Sequence, residues 1–362
     1  MFTNKHVLLG MSGGLDSSVA ALLLKELGYK VSGLTLRTYD YISTGCLEKQ
    51  SGCCTVDSIF DAKKLMESLS FEHHVMDVRN EFNAQIIKYF ISEYLGGRTP
   101  NPCVLCNSLI KWAYMLQKAD ELGCDYIATG HYANIRFENE RYILSEGADK
   151  TKDQSYFLWG LSQDVLKRTI FPLGNFQKTE IRDMAAKHGL KKLTQKRESQ
   201  EICFIQDDDY RGFLKSNIPD MDVSHKPGNF ISVDGKILGT HKGIPFYTIG
   251  QRKGLEVAVG HPLYVIEIKK DSNELVLGIK DDLGKTSMIV RDYNLVKYNE
   301  FNLPSKVRTK IRYRSKAIPS VIHSSNNEIQ VDFEETVFGI TPGQSAVFYE
   351  NEDVLGGGII FK

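Results

Sequence analysis

The composition of the chain is that of an ordinary globular protein. Its 362 residues are 42% hydrophobic and 25% charged, and this length is enough for two or three domains with separate cores. Lysine plus arginine and aspartate plus glutamate number 45 each, so any nucleic-acid partner must be met by local basic patches. No apolar run reaches the roughly 18 residues of a membrane span, and no signal-peptide core precedes the first predicted strand. We therefore expect a cytoplasmic location and no membrane partner.

The first 130 residues alternate apolar runs of strand length with amphipathic runs of helix length. We predict strands at residues 7–10, 31–36, 73–78 and 125–130, separated by helices at residues 19–28, 56–69, 82–95 and 108–122. This alternation predicts an α/β fold with a doubly wound parallel sheet. Ligands of such sheets bind beyond the carboxyl ends of the strands, which is where Gly10, Leu36 and Gly130 stand.

The predicted secondary structure changes in the second half of the sequence. Residues 140–200 are mixed and mainly helical, with a helix at 178–186 that Thr179 is expected to cap. From about residue 205, short strands alternate with turns, and Asp234-Gly235 is a strong hairpin signal. This half therefore forms two small β-rich domains behind the parallel-sheet domain. The predicted domains are residues 1–204, 205–284 and 285–362.

Residues 10–18, with the sequence Gly-Met-Ser-Gly-Gly-Leu-Asp-Ser-Ser, join the first predicted strand to the first helix. A Ser/Gly turn at this place points backbone N–H groups and the positive end of a helix dipole at one spot, which suits a phosphate. The segment resembles the S-G-G-x-D-S PP-loop of the pyrophosphatases that cleave ATP between the α and β phosphates. The resemblance implies an adenylating enzyme, in which Asp16 holds Mg²⁺ near the phosphates. The predicted ATP-binding residues are Gly10, Met11, Ser12, Gly13, Gly14, Leu15, Asp16, Ser17, Leu36 and Gly130.

The seven cysteines are the second chemical signal. Their odd number in a chain of this length argues against a disulfide framework, and their clustering favours thiol chemistry or metal binding. Cys103 and Cys106 lie in a loop stiffened by prolines, and a helix that begins directly after Cys106 would favour its thiolate. Cys203 lies 97 residues beyond Cys106 and must fold back to meet it. Of the others, Cys53 and Cys54 are interpreted as part of a structural loop and Cys124 as a buried small hydrophobe, and Cys46 has no assigned role.

Six motifs in this order resemble those of the tRNA-specific 2-thiouridylases, which replace the 2-oxygen of the wobble uridine of tRNA with sulfur. They are the phosphate loop, residues 99–107, 128–132, 152–158, 199–205 and 247–254, and the resemblance extends from residue 7 to near the C-terminus. It implies that the uridine O2 is adenylated with ATP and Mg²⁺ and then displaced by sulfur. It also implies that Cys203 carries a persulfide received from a relay protein or a cysteine desulfurase. Cys106 is then the nucleophile that completes the transfer and leaves a Cys106–Cys203 disulfide.

One position departs from the pattern of this family. Many members have an aspartate, thought to assist catalysis, where this chain has Cys103. Together with Cys106 and Cys203, this third thiolate would be enough to hold an iron–sulfur cluster with one open iron, so a persulfide and a cluster mechanism are both open. Two further hypotheses are an amide- or guanidine-forming ligase with the same phosphate loop and a non-enzymatic RNA-binding or iron–sulfur scaffold. The first leaves the cysteines unexplained, and the second leaves the phosphate loop unexplained.

Several segments are expected to contact tRNA. Residues 306–316 carry a basic side chain at every even position, which on a strand would place six positive charges on one face for the RNA backbone. Tyr313 is expected to stack on an exposed base. The resemblance implies contacts with a tRNA of the lysine, glutamate or glutamine type, or with its target base, at Asn101, Pro102, Cys103, His131, Lys152, Asp153, Gln154, Arg312, Tyr313 and Gln344. We also expect residues 195–207, around Cys203, to be mobile until tRNA binds.

Overall fold

The computed structural model describes residues 4–40, 56–195, 202–205, 208–221, 226–300, 304–325 and 327–362. The loop with Cys46, Cys53 and Cys54 lies outside these residues. So do most of residues 195–207, and the expected mobility of that segment stays a prediction. Across the described ranges, every helix is too short or too polar to span a bilayer.

The strands and helices of the described residues are numbered here in chain order. The strands are β1 (His6–Gly10), β2 (Lys30–Arg37), β3 (Glu72–Asp77), β4 (Tyr126–Ala128), β5 (Ala133–Glu138), β6 (Arg141–Glu146), β7 (Thr169–Ile170), β8 (Gly228–Ser232), β9 (Ile237–His241), β10 (Tyr264–Lys269), β11 (Glu274–Gly278), β12 (Gly284–Leu295), β13 (Ser305–Lys310), β14 (Ile318–Ser325), β15 (Glu328–Phe338), β16 (Ser345–Glu350) and β17 (Asp353–Ile360). The helices are α1 (Leu15–Glu26), α2 (Val56–Ser68), α3 (Arg79–Phe82), α4 (Lys88–Leu95), α5 (Pro102–Leu105), α6 (Ala113–Glu121), α7 (Gln163–Lys167), α8 (Lys178–Lys187), α9 (Lys191–Thr194) and α10 (Tyr210–Asn217). Short 3₁₀ turns cover Ser155–Phe157, Ile244–Phe246 and Lys280–Leu283.

The predicted parallel sheet is confirmed. Its strands lie in the order β3-β2-β1-β4-β7 and are all parallel, and the central strand β1 has a fully buried middle, residues 7–9. The short fifth strand β7 was not predicted from the sequence. Because β1, β2 and β4 are parallel neighbours, their carboxyl ends meet at one edge, and the residues that follow them share that edge.

Two helices of this domain run through a π-helical turn. Residues Asn83–Ile87 join α3 to α4, and residues Cys106–Trp112 join α5 to α6. The second helix begins at Pro102, six residues before the predicted start, so that prediction was wrong. Proline at the first helical position has the backbone angle that a helix needs and no N–H to leave unpaired, so Pro102 starts the helix instead of stiffening a loop.

The β-rich second half is also confirmed. A four-stranded sheet has the order β10-β11-β8-β9, and its hairpin between β8 and β9 turns at Asp234-Gly235 as predicted. An eight-stranded sheet has the order β12-β15-β14-β13-β16-β17-β6-β5, and the additional pairing of β12 with β17 closes six of its strands into a barrel.

The hairpin β5–β6 was not predicted. Although it follows the parallel strand β4 in sequence, it pairs with β17 and so extends the C-terminal barrel. Arg136 on β5 donates to both carboxylate oxygens of Asp353 at 2.6 and 2.8 Å, and Lys297 of the barrel pairs with the same carboxylate at 2.8 Å. The expectation of a mainly helical segment after residue 140 was therefore wrong for β6. The hairpin fixes the barrel against the parallel-sheet domain.

A shared core also joins the first and third domains. One hydrophobic cluster contains Trp112 of the helix after Cys106, Tyr156 and Trp159 of the following loop, and Val347 and Tyr349 of the barrel strand β16. All of these side chains are buried. The barrel is thus packed directly behind the segment that carries the cysteines.

Candidate functional site

The phosphate loop, residues 10–18, has the geometry that the sequence predicts. Gly13 has a φ of 66°, and a Cβ there would collide with the backbone of Ser58, so only glycine fits. Gly14 precedes α1, and no side chain caps the first N–H groups of that helix. The Ser12 and Ser17 hydroxyls lie 3.3 Å apart beside this helix start. Uncapped N–H donors and two hydroxyls are a donor set that fits a phosphate.

The Asp16 carboxylate binds two partners from other parts of the chain. Lys178 donates from Nζ to its two oxygens at 2.6 and 2.8 Å, and the Tyr132 hydroxyl donates to it at 2.8 Å. The Lys178 side chain is 7% exposed, whereas that of Asp16 is 34% exposed. A carboxylate that is partly open to solvent at this place fits the predicted Mg²⁺ ligand.

Lys178 is a site residue that the sequence analysis missed. It is the first residue of α8, where a positive charge is unfavourable because it meets the positive end of the helix dipole. A lysine at the start of a predicted helix therefore indicates that its side chain pairs with an acidic group elsewhere in the chain, and this signal was available in the sequence. The predicted cap of α8 was also wrong: Gln177 is the N-cap and forms a capping box with Glu180, so Thr179 lies inside the helix.

The other residues predicted to bind ATP converge on the same sheet edge. Gly10 ends β1, Leu36 lies near the end of β2, and Gly130 follows β4. The backbone N–H of Met11 donates to the Leu34 carbonyl at 2.8 Å, which fixes the loop on β2. A Cβ on Gly130 would lie 2.9 Å from the Ser17 nitrogen, so a glycine lets this loop approach the start of α1.

The cysteine loop, residues 99–106, includes the whole of α5. Because α5 begins at Pro102, Cys103 lies in the first helical turn, and Cys106 lies one turn later at the start of the π-helical segment. The expectation that Cys106 lies at the helix N-terminus was therefore wrong, and the favourable end of the dipole falls on Cys103 instead. The Cys106 side chain is 7% exposed and that of Cys103 is half-buried.

The cysteine loop is docked on the barrel turn, residues 341–344. The side-chain amide of Gln344 donates to the carbonyls of Thr99 and Pro100 at 3.0 and 3.2 Å, and the Thr99 N–H donates to the Pro342 carbonyl at 2.9 Å. A Cβ on Gly343 would lie within 3.0 Å of the Thr99 backbone, so glycine permits this close approach. Gln344 therefore holds the cysteine loop.

Cys203 and Cys106 differ in their access to solvent. Cys203 is exposed, whereas the next residue, Phe204, belongs to the same buried hydrophobic cluster as Cys106. The Phe204 ring packs edge-on against Phe82 and Phe90 at centroid distances of 5.6 and 5.3 Å. None of the four cysteines in the described ranges is in a disulfide.

His131 directly follows Gly130, the glycine that approaches the start of α1. Its Nδ1 is 2.8 Å from the Thr129 hydroxyl, and its ring packs against Trp112 and Phe171. Burial, with a smaller effect of the Lys111 charge, lowers the pKa of His131 to about 3. The imidazole is therefore neutral at physiological pH.

Comparisons with known proteins identify the family. Three family models match in order: a tRNA methyl transferase HUP domain over residues 5–207, a tRNA methyl transferase PRC-barrel domain over 212–279 and an aminomethyltransferase β-barrel domain over 285–360. A tRNA-specific 2-thiouridylase MnmA of Amoebophilus asiaticus is 53% identical over 98% of this chain and 95% of its own length. The protein of the same name from Cytophaga hutchinsonii is 50% identical over 98% and 97%. This chain belongs to the tRNA-specific 2-thiouridylase family.

The residues that this family resemblance assigned to tRNA are not all equally accessible. Asp153 is 3% exposed, and its carboxylate accepts hydrogen bonds from the Gly147 N–H and from the N–H and hydroxyl of Ser155. Gln154 exchanges hydrogen bonds with the Tyr132 backbone at 3.0 and 2.8 Å and so supports the tyrosine that binds Asp16. Lys152 is half-buried beside them, and Asn101 and Pro102 are buried at the start of α5. Their roles toward tRNA stay predictions.

The basic segment of the barrel has a different shape from the predicted one. Strand β13 ends at Lys310, and the chain turns at residues 311–315, so Lys306, Arg308 and Lys310 share one strand face and the prediction of six charges on it was wrong. The Arg312 guanidinium donates to the Gly339 carbonyl and the Thr341 hydroxyl at 2.9 and 2.7 Å. Arg312 therefore lies in the turn after β13, and its side chain does not share the strand face of Lys306, Arg308 and Lys310. Alternating charge in the sequence cannot reveal where such a strand stops.

Tyr313 packs within the protein. Its ring lies 4.5 Å from that of Phe157 and 6.2 Å from that of Tyr156. The Tyr156 hydroxyl in turn donates to the Ser345 carbonyl at 2.9 Å. Arg312 and Tyr313 therefore lie close to the barrel turn that holds the cysteine loop.

Proposed function

We propose that this chain is an ATP-dependent tRNA 2-thiouridylase that works through a cysteine persulfide. One arrangement supports the proposal: the exposed Cys203 directly precedes Phe204, which packs in the same hydrophobic cluster as the buried Cys106, and both cysteines lie in the domain that carries the phosphate-binding loop. An exposed thiol can be loaded with sulfur by another protein, whereas a buried thiol is protected until the reaction needs it. The substrate would be a tRNA of the lysine, glutamate or glutamine type.

The phosphate loop would activate the uridine. The 2-oxygen of uracil is a poor leaving group, and its attack on the α-phosphate of ATP converts it into part of AMP and releases pyrophosphate. The N–H groups at the start of α1 and the Lys178 ammonium would stabilise the charge on the phosphates, and Asp16 would hold the Mg²⁺ that accompanies ATP. The carboxylate that would hold this Mg²⁺ is the one that accepts from Lys178 in the structure.

The two cysteines would then deliver sulfur. The terminal sulfur of a Cys203 persulfide attacks C2 of the adenylated uridine, and AMP leaves with the electron pair of the broken C2–O2 bond. The Cys106 thiolate attacks the Cys203 sulfur, which forms the Cys106–Cys203 disulfide and returns the electron pair of the broken S–S bond to the sulfur on C2. The products are 2-thiouridine and a disulfide that a dithiol reductant must reduce. The persulfide donor is a sulfur-relay protein or a cysteine desulfurase.

The alternative iron–sulfur mechanism has less support. It needs Cys103, Cys106 and Cys203 close enough to ligate one cluster, and all three residues are described. The described residues contain no group of three histidine, cysteine or acidic side chains placed to hold a metal ion. The mechanism above therefore uses the persulfide and includes no cluster, and the assay below distinguishes the two mechanisms.

An anaerobic thiolation assay tests the proposal. Purified metal-free protein is given ATP, Mg²⁺, unmodified tRNA and a persulfide donor, and thiolated nucleoside is measured by mass spectrometry. We expect product from metal-free protein, its loss in Cys203→Ser and in Cys106→Ser, and its retention in the control Cys124→Ala, whose buried thiol has a pKa raised to about 11 by desolvation. Both serine variants should retain tRNA-dependent ATP–pyrophosphate exchange.

Two outcomes would contradict this proposal in different ways. Product that forms only after reconstitution with iron and sulfide, and that is lost equally in Cys103→Ser, would establish the cluster mechanism. The absence of thiolated uridine in both preparations would refute the 2-thiouridylase function itself.

A further inference from the structure

One family motif has no role in the chemistry described so far. This motif is residues 247–254, and we call residues 248–254 the basic turn. Backbone and side-chain hydrogen bonds hold the basic turn in a single conformation. The Gly250 N–H donates to the Val265 carbonyl at 2.8 Å, and the Val265 N–H donates to the Gln251 carbonyl at 3.0 Å. The Gln251 side chain accepts from the Thr248 N–H and donates to the Lys253 carbonyl, which braces the turn from inside. The turn is thus preorganised on strand β10.

The basic turn lies where the three domains meet. The Thr99 hydroxyl of the cysteine loop donates to the Thr248 hydroxyl at 3.3 Å. On the barrel side, a Cβ built on Gly250 would lie 4.0 Å from a guanidinium nitrogen of Arg312. The turn therefore borders both the loop that carries the nucleophile and the barrel residues that the family assigns to tRNA.

The turn presents positive charge without a counter-ion. Arg252 and Lys253 are both exposed, and no carboxylate of the described residues forms an ion pair with either of them. The nearest carboxylate along the chain, Glu256, pairs with Lys242 at 3.4 Å. Arg312 adds a third charge whose hydrogen-bond acceptors, a carbonyl and a hydroxyl, are both neutral. Neighbouring cations repel each other, and an anionic partner would relieve that repulsion.

We propose that the basic turn binds the phosphate backbone of the tRNA anticodon arm beside the target nucleotide, with Arg252 and Lys253 each contacting one phosphate. This inference rests on the proposed function, which supplies the tRNA. Exposed point charges on a rigid turn suit a regularly spaced polyanion better than a folded protein surface. Phosphate contacts also fix the position of an RNA without reading its bases, so the turn would set where the wobble nucleotide enters the site.

The test is the salt dependence of tRNA binding. The variant Arg252→Gln/Lys253→Gln is compared with Lys269→Gln/Lys270→Gln, which removes two exposed lysines of the same domain at the other end of β10, about 15 Å away. The dissociation constant for unmodified tRNA is measured between 50 and 200 mM salt. We expect the Arg252/Lys253 variant to bind tRNA at least tenfold more weakly at low salt. The slope of the logarithm of its binding constant against the logarithm of the salt concentration should decrease in magnitude by about 1.4–1.8, while the control keeps the wild-type slope.

The outcomes separate this inference from the proposed function. An unchanged slope and affinity in the Arg252/Lys253 variant, with wild-type protein that binds and thiolates tRNA, would overturn the inference alone. Normal tRNA binding with slower loading of Cys203 by the persulfide donor would overturn it in favour of a docking site for the donor protein. Wild-type protein that neither binds nor thiolates tRNA would refute the proposed function, and the inference would fall with it.

Discussion

The phosphate loop and the cysteine loop each lead into a helix, but they are held in place by different means. The phosphate loop is held partly by its neighbours in sequence, as when the Ser18 hydroxyl donates to the Gly14 carbonyl at 2.8 Å, and its more distant partners, such as Leu34 and Lys178, lie within the first domain. The cysteine loop is fixed by Gln344, which is 245 residues away from Thr99. The phosphate site is therefore built within the first domain, whereas the thiol site needs the barrel to be folded and docked as well.

This difference divides the proposed reaction between two levels of structure. Adenylation would depend on the first domain, in which Asp16, Tyr132 and Lys178 meet. Sulfur transfer would depend in addition on the contact between the first and third domains. A variant that disturbs only one of these regions should separate the two half-reactions.

The largest effect is expected from Asp16→Asn. The substitution removes the carboxylate that would hold Mg²⁺ and that pairs with the buried Lys178 ammonium. We expect tRNA-dependent ATP–pyrophosphate exchange to fall by about 10³-fold, as is typical when a charged group that stabilises the transition state is lost. Thiolation should fall equally, because it requires the adenylated uridine.

A matched control for Asp16→Asn lies at the opposite edge of the same sheet. Asp125 pairs with Lys5 at 2.6 Å, and its side chain is 32% exposed, against 34% for Asp16. Asp125→Asn should leave both reactions within about twofold of wild type, because surface ion pairs contribute little to stability. Exchange activity in Asp16→Asn within threefold of the control would show that the phosphate loop does not work as proposed.

A smaller and more selective effect is expected from Gln344→Leu. The leucine loses the two hydrogen bonds to the Thr99 and Pro100 carbonyls, which together contribute about 1–2 kcal/mol to the position of the cysteine loop. We expect the rate of sulfur transfer in a single turnover to fall by roughly tenfold. ATP–pyrophosphate exchange and the dissociation constant for tRNA should change less than twofold.

The same variant distinguishes positioning from direct RNA binding. If Gln344 acts mainly by contacting tRNA, affinity, exchange and thiolation should all decline together. Gln330→Leu serves as the control, because Gln330 is an exposed barrel residue whose amide donates to the neighbouring Asp332 at 2.9 Å. It should leave all three measurements unchanged.

The contrast between local and distant contacts also explains what the sequence could predict. The strand–turn–helix of residues 7–26 and the hairpin at Asp234-Gly235 follow from neighbouring residues, and both predictions are confirmed. The hairpin β5–β6 and the end of β13 at Lys310 depend on partners far along the chain, such as Asp353 and Gly339, and were missed. Local patterns give the type of an element but do not specify which sheet it joins.

The candidate site follows the same rule. The phosphate loop and the cysteine positions could be read from motifs, and the family resemblance supplied most of the remaining residues. Lys178 was missed because its partner is 162 residues away, although its place at a helix start was a usable signal. The access of Cys203 and the burial of Cys106 could not be predicted, because both depend on how Phe204 packs against another segment.

The smallest predicted effect concerns His131, whose ring packs against Trp112 and Phe171. Its pKa is lowered to about 3 in the folded protein, from about 6.5 in the unfolded chain. Between these two values the unfolded chain binds a proton that the folded protein does not, so lowering the pH through this range favours unfolding. Above pH 6.5 both states are neutral at this position and the contribution vanishes. At pH 5 the expected loss is at most about 2 kcal/mol.

The variant His131→Phe keeps a ring against Trp112 and Phe171 but cannot titrate. Between pH 7.5 and pH 5, the melting temperature of the wild type should therefore fall about 2 °C further than that of the variant. The control His261→Phe, at an exposed position of the central domain, should fall as much as the wild type. Equal losses in the wild type and in His131→Phe would mean that the folded protein accepts the proton at His131. The imidazole would then be accessible to a proton from solvent, whereas a larger loss in the wild type would show that packing against Trp112 and Phe171 keeps this ring neutral in the folded protein.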